Sequence, residues 1–345
     1  VATLDIEQPC ALVEWLRNSG RIGPSESPEI RVLAGGVSNR TVLVTRTSGE
    51  SWVLKQALEQ LRVAAPWFCS PERVHREALG MRWLSTLAPP GSIPSLVFED
   101  PENHVLGMQA VRQPHANWKD LLLKGVIDPH HVRQFGQLLG IIHRRARLGA
   151  SRLGSVFGDK TFFEALRLEP FYAHSAGQLQ AAAPFLAQLT REARSIGETL
   201  VHGDYSPKNV LVHRGQLVLL DHEVIHWGDP MFDVGFALAH LLSKAHRDEQ
   251  SREALCGAAV LFWEHYAFTA CECLTDLDHQ ARATRHALGC LLARAAGKSP
   301  VEYLDIGQRE RQRDACLDLM QAPPAEVVVL AERFIQQIIQ RSSRV

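Results

Sequence analysis

Between Val201 and Asp233 the chain reads VHGDYSPKNVLVHRGQLVLLDHEVIHWGDPMFD, and no other stretch constrains the fold as much. Two short apolar runs, Asn209 to His213 and Gln216 to Leu220, are joined by Arg214-Gly215, which predicts a tight β-hairpin. His202, Asp204 and Asn209 lie before or at its entry, and Asp221 and Glu223 follow it. Asp221 therefore emerges from a buried strand end beside the loop that carries Asp204.

These residue types in this order suit phosphoryl transfer. A carboxylate at Asp204 can take the proton of a hydroxyl as it attacks phosphorus. The amide oxygen of Asn209 is a hard ligand suited to Mg²⁺, and Asp221 and Glu223 can bind metal and bridge it to nucleotide phosphates. Either acid alone reads as an ordinary cap beside a turn. The ordered set HGD, Asn209 and Asp-x-Glu favours a catalytic reading. Lys208, inside the loop, either neutralises the transferred group or is a solvated loop lysine.

HGDYSPKN followed by LLDHE resembles the aminoglycoside phosphotransferase and choline kinase group, which shares the protein-kinase-like fold; methylthioribose kinase and homoserine kinase are similar in pattern. The resemblance spans Arg31 to about Leu242. It implies Asp204 as catalytic base, Asn209 and Asp221 as Mg²⁺ ligands, His202 as a residue that fixes the loop, and Asp233 in DPMFD as an acid that braces it. The Phe-Gly that follows the metal-binding Asp in protein kinases is missing, which points to a small-molecule kinase.

The first hundred residues supply the other parts such an enzyme needs. Arg31–Ala34, Thr41–Arg46 and Ser51–Gln56 read as strands separated by Gly35-Gly36 and Ser48-Gly49-Glu50. Gly35 and Gly36 let backbone approach a phosphate, and Ser38 and Asn39 can donate to it. Lys55 shares a strand face with Val53 and would point into a cleft. Glu77, on a helix expected over Pro71–Leu87, can pair with it and hold the ammonium against the phosphates. Ser95–Phe98 and His104–Ala110 read as two more strands. Gln109 and Val111, in GMQAV, are candidates for the segment that meets adenine through backbone groups; ATP and GTP both remain open.

From about Gln113 the pattern is helical. Asp128–Ala146 carries the clearest 3.6-residue stripe, with Asp128 as N-cap and Pro129 at the first position. Ala173–Pro184 is Ala- and Gln-rich and reads as a mobile connection. The expected fold is α+β and bilobal, kinase-like: a small antiparallel-sheet lobe over residues 1–112 that binds nucleotide, and a mainly helical catalytic and acceptor lobe over residues 113–345, hinged near Ala110–Pro114.

The chain has 345 residues, 46% hydrophobic, with a net charge of -1, so no overall field favours nucleic acid or an anionic membrane. No stretch reaches the roughly 20 apolar residues of a membrane span, and the first twenty residues do not read as a secretory signal. The seven cysteines are scattered and are expected as free, mostly buried thiols in a reducing cytoplasm. Nothing in the sequence sets an oligomeric state.

The acceptor wall is expected from Phe157–Tyr172 and from the helices after Asp233, with Asp229, Trp263, Glu264, His265 and Tyr266 as candidates. Trp263 and Tyr266 also fit a core. Arg294 and Lys298 tilt the acceptor toward an anion, although a basic helix end capped by Gly297 explains them too. The reading is thus an ATP- and Mg²⁺-dependent kinase acting on a hydroxyl of a metabolite or aminoglycoside-type antibiotic. A protein Ser/Thr kinase and a nucleotide-binding pseudokinase scaffold are the rivals.

Overall fold

The computed structural model describes residues 4–34, 36–63, 66–247 and 249–342. Strands β1 (Glu29–Val32), β2 (Asn39–Thr45), β3 (Ser51–Ala57), β4 (Leu96–Asp100) and β5 (Val105–Gln109) form one antiparallel sheet in the order β1-β2-β3-β5-β4. Alternation gives the sheet two apolar faces. Val42, Val44, Trp52 and Leu54 pack against Leu12 and Leu16 of helix α1 (Pro9–Asn18). Leu106 and Met108 pack against Val74, Ala78 and Met81 of helix α2 (Arg73–Leu87). Each such fully buried aliphatic side chain contributes about 1.5–3 kcal/mol, so α2 is held firmly against the face that carries Lys55.

Beyond Gln109 the chain crosses to the helical part. Short strands are set into it: β6 (His115–Asn117), β7 (Thr199–Val201), β8 (Val210–His213), β9 (Gln216–Leu219) and β10 (His226–Gly228). β6-β8-β9 form one antiparallel ribbon and β7 pairs with β10. The β8–β9 turn is the predicted hairpin, with both Arg214 and Gly215 at positive φ.

Helix α3 (Trp118–Leu123) precedes α4 (Pro129–Leu148), whose N-cap Asp128 accepts from the His130 N–H at 2.8 Å. α4 lies directly on helix Arg252–Thr269, and Gly140 permits the approach: a Cβ there would stand 2.7 Å from the Tyr266 carbonyl oxygen. Helix Pro230–Leu242 is buried along its whole length, as expected of a helix apolar all round. Phe135 of α4 stacks on Tyr205 with ring centroids 4.3 Å apart, which roots the loop that carries Asp204 in the helical core. No helix among the described residues is long and apolar enough to cross a membrane.

Two expectations are corrected. Ala173–Pro184 is no mobile connection: a π-helical stretch, Glu164–Ala173, runs into helix His174–Gln178 and a 3-10 turn, Gln180–Ala182, with Ser175 and Ala182 fully buried. Ala182 belongs to the main core and Ala176 packs against it. The cysteines are not all free, because Cys271 and Cys273 are joined in a disulfide. Cys69, Cys290 and Cys316 are buried free thiols, whereas Cys10 is exposed.

Candidate active site

Lys55 is the point where the two parts of the chain meet. Its ammonium donates to both carboxylate oxygens of Glu77 at 2.8 Å and to Asp221 Oδ1 at 2.6 Å. β3 turns Lys55 toward α2, and α2 presents Glu77 from its buried face. Asp221 follows β9 with its backbone at φ 68, a left-handed conformation uncommon for a residue with a Cβ. Burial works against the charge on Lys55, but Asp221 and Glu77 outweigh it and hold its pKa above the ordinary lysine value. Burial likewise pushes Asp221 up, and the charges of Lys55 and Lys208 overcome it, leaving the carboxyl well below its usual range. For Glu77 burial prevails over Lys55 and the direction is upward. One ammonium thus serves two carboxylates.

The catalytic loop is fixed from behind. Asp233 is fully buried, with Oδ2 accepting from the His202 N–H at 2.6 Å and Oδ1 from the Gly203 N–H at 2.8 Å. Gly203 has φ +78, and a Cβ there would stand 2.8 Å from Val224 Cγ2. His202 Nδ1 accepts from the Asp204 N–H at 3.1 Å, which places the proton on Nε2, and Nε2 donates to the Leu220 carbonyl at 3.2 Å. Burial keeps this imidazole below its usual pKa against the pull of Asp233 and Asp204. His202 is therefore a neutral strut between the loop and the end of the hairpin.

Asp204 carries two partners on the same oxygen. Oδ2 accepts from Asn209 Nδ2 at 2.7 Å and pairs with Arg167 at 2.9 Å, so Oδ1 is the atom left for a substrate hydroxyl. Asn209 Nδ2 also donates to the Asp204 carbonyl at 3.0 Å, so both of these bonds use the amide nitrogen and not the amide oxygen. Asn209 and Asp221 offer hard oxygen donors on one cleft, the chemistry Mg²⁺ prefers.

That cleft has a volume of about 1030 Å³. Gly36, Ser38, Asn39 and Lys55 line its sheet side, Met108 to Val111 its connecting edge, and Asp204, Lys208, Asn209, Asp221 and Glu223 its floor. Glu77, His202 and Asp233 stand behind the lining and act on it through their partners. Gly35 lies outside the described residues. The N–H groups of Gln109 and Ala110 are already committed to the Ser95 and Ser51 carbonyls at 2.8 and 2.9 Å, so neither donor faces the cleft.

Three expectations change. Asn39 faces the cleft, but its Nδ2 donates to Glu223 Oε2 at 3.1 Å and to Ser38 Oγ at 3.0 Å, so it braces the loop rather than offering that amide to phosphate. Glu223 is held by Asn39 and by Arg73; its carboxylate ties the sheet part to the helical part. Of the acceptor candidates Asp229, Trp263, Glu264, His265 and Tyr266, none lines the cleft. Trp263 and Tyr266 are core, Asp229 caps the next helix and pairs with Arg282, Glu264 is exposed, and His265 contacts Gln137. Lys298 turns away to Trp67 and Glu169. Leu166, Arg167 and Phe171, within the predicted Phe157–Tyr172 segment, do line the cleft, as does Arg294.

Arg73 and Arg167 escaped the sequence reading. Arg73 stands one helical turn before Glu77, so the two share the buried face of α2; that spacing was the available signal. Arg167 carries no comparable signal, because its partner Asp204 lies 37 residues away across a π-helical stretch.

Known proteins are similar to this chain over much of its length. A model described as phosphotransferase enzyme family matches residues 29–269. Among curated relatives, the methylthioribose kinases of Pectobacterium carotovorum and Citrobacter koseri are 24% and 27% identical over 257 and 260 residues, covering 67% of this chain. The chain spans 64% of the length of those relatives. Among solved structures, the amicoumacin kinase hAmiN in complex with AMP-PNP, Ca2+ and Ami is similar with TM-score 0.58 at 14% identity, covering 86% of this chain and 89% of that one. A choline/ethanolamine kinase family protein from Mesorhizobium loti gives TM-score 0.52 at 14% identity, covering 95% and 99%. At such identities these two structures support the kinase-like fold.

Proposed function

Because the chain belongs to the phosphotransferase enzyme family, we propose that it is an ATP- and Mg²⁺-dependent kinase that phosphorylates a hydroxyl of a small molecule. The observation that carries this reading is that Lys55, Asp204, Asn209 and Asp221, from opposite parts of the chain, line one cleft. We assign residues 1–112 to the nucleotide side and 113–345 to the catalytic and acceptor side. The name of the curated relatives, methylthioribose kinase, agrees with a small hydroxylated acceptor.

Each residue then has a task. Lys55, aimed by Glu77, holds phosphate oxygens beneath the loop at Gly36 and Ser38. Asn209 and Asp221 would hold Mg²⁺, which supplies neutralisation of phosphate charge when bound. Asp204 Oδ1 orients the acceptor hydroxyl and takes its proton as the new P–O bond forms and the bond to the β-phosphate oxygen breaks, releasing ADP. Arg167 and Asn209 fix Asp204 through its other oxygen. Most of the rate acceleration comes from this positioning and charge neutralisation.

A protein substrate is disfavoured because residues 224–232 are almost entirely buried, which leaves no exposed activation segment. The test is ADP release over a panel of hydroxylated metabolites and antibiotics, with and without Mg²⁺, for the parent and Asp204→Ala. Mg²⁺-dependent turnover that falls ~10²-fold or more in kcat in the variant, with AMP-PNP affinity retained, supports the reading. Unchanged turnover in the variant removes Asp204 from this role.

A further inference from the structure

The cleft extends past Asp204 to a wall with an excess of positive charge. Two guanidinium groups converge there on the same pair of rings. The Arg167 guanidinium carbon stands 5.8 and 5.9 Å from the centroids of Phe171 and Phe236, and that of Arg294 stands 4.8 and 5.7 Å from them. Both arginines line the cleft, as does Lys208. Arg167 is compensated: it pairs with Asp204 and donates to the Gly203 carbonyl at 2.8 Å. Arg294 is not. It donates to the Ser299 carbonyl at 2.9 Å, its buried Nε has no acceptor, and no carboxylate pairs with it among the described residues.

The layer behind adds to the imbalance. Lys244 is buried, with its ammonium donating to the His240 carbonyl at 2.6 Å. His240 is itself buried and its Nε2 has no partner. After burial itself, the influences that most depress its protonation are Arg294, Lys244, Lys208 and Arg167, all cations. The nearby carboxylates bring cations of their own, Glu302 with Lys119 at 2.8 Å and Glu169 with Lys298 at 3.9 Å. The carboxylates that act on this group already serve other donors: Asp204 pairs with Arg167 and Asn209, Asp221 with Lys55, and Glu302 with Lys119. Like charges collected in a partly desolvated site repel strongly and call for a counter-anion.

We propose that the acceptor carries an anionic group, a carboxylate or a phosphate monoester, which Arg294 and Lys208 bind beside the hydroxyl served by Asp204. This rests on the phosphotransferase reading and narrows it. A guanidinium packed on an aromatic ring presents a flat, preoriented fork that matches two oxygens of such a group. A cationic acceptor would face the same charges at a cost in affinity.

The experiment is calorimetric titration of the full chain saturated with AMP-PNP and Mg²⁺, using D-glycerate, glycerol 3-phosphate and glycerol as probes. At least one anion is expected to bind tenfold or more tightly than glycerol, and the two anions tell carboxylate from phosphate. Arg294→Gln should weaken that anion at least tenfold, with Arg294→Lys recovering part of it. Lys208→Gln, a change at an exposed loop position, should weaken it about threefold and stands in should the Arg294 variants fail to fold. Anions that bind no better than glycerol overturn the proposal, and so does an Arg294→Gln protein, or if that fails to fold a Lys208→Gln protein, that binds them as the parent does. Failure to bind AMP-PNP with Mg²⁺ removes the kinase reading and this inference with it; nucleotide binding without anion preference removes this inference alone.

Discussion

Arg73 and Glu223 meet inside the protein, 150 residues apart in sequence, with Arg73 Nε donating to Glu223 Oε2 at 3.2 Å. Arg73 is fully buried, and its other nitrogens are equally committed. Nη1 donates to the Cys69 and Ser70 carbonyls at 2.9 and 3.0 Å, and Nη2 to the Leu58 carbonyl at 2.8 Å and to that of Ser38. One guanidinium thus joins the start of α2, the loop expected over the phosphates, and the segment just after Asp221. A buried pair of this kind adds little net stability, but removing one partner leaves the other charge stranded.

Arg73→Met should therefore destabilise the protein by about 3–5 kcal/mol, the usual effect of breaking a buried pair. It should also weaken AMP-PNP binding, because the Ser38 carbonyl loses its anchor. Urea unfolding and nucleotide titration check the two effects. A variant as stable as the parent would mean that Glu223 needs no partner.

Asp233 braces the Asp204 loop from behind, and its loss should be felt at the site. Asp233→Ala strips acceptors from the buried N–H groups of His202 and Gly203, at about 1–3 kcal/mol for each donor left unsatisfied. Asp204, two residues from His202, then loses its fixed position. The expected outcome is a fall in kcat with little change in KM for ATP, together with a lower Tm. A selective rise in KM for ATP would place Asp233 in the nucleotide site instead.

Gly203 faces a steric limit. A side chain at φ +78 costs about 1–2 kcal/mol in backbone strain, and the added Cβ also meets Val224 Cγ2 at 2.8 Å and the Val224 carbonyl oxygen at 3.0 Å. Gly203→Ala should depress kcat as Asp233→Ala does, because both displace the same peptide. Parental turnover in this variant would show that the loop can shift without loss.

What the sequence disclosed about this site depends on how far each partner lies along the chain. The Lys55–Glu77 pair follows from two local periods, alternation in β3 and the buried stripe of α2, so local sequence alone aims both residues. Asp204, Asn209 and Asp221 follow from a hairpin that returns the chain to its start. Arg73 and Arg167 are less legible, since the carboxylates that pair with them, Glu223 and Asp204, are brought near only by tertiary packing. Trp263 and Tyr266 suit a pocket by residue type, but helix periodicity fits them to a core, and both are buried where α4 approaches closely at Gly140. The alanines of 173–184 read as mobile because composition carries no record of what packs on them.

Lys244 yields a prediction whose sign can be worked out. It is 2% exposed, and its pKa is pushed down to about 7 by burial first and then by Lys119 and Arg294, against the pull of Glu302. An unfolded lysine titrates near 10.4. Below pH 7 both states hold the proton, and folding bears the full penalty of taking an ammonium into the interior. Between pH 7 and about 10 the unfolded chain binds more protons than the folded one, so stability rises with pH there and the penalty fades. Lys244→Met removes the charge and keeps the bulk. Its stability relative to the parent should be most favourable at pH 6 and should decline on the order of a few kcal/mol by pH 10, on the scale of 1.36 kcal/mol per pKa unit. The lost bond to the His240 carbonyl lowers the variant by a constant amount at every pH and does not alter that slope. Urea midpoints measured from pH 6 to 10 decide the matter, and a parent-to-variant difference that stays constant would show that Lys244 remains protonated throughout.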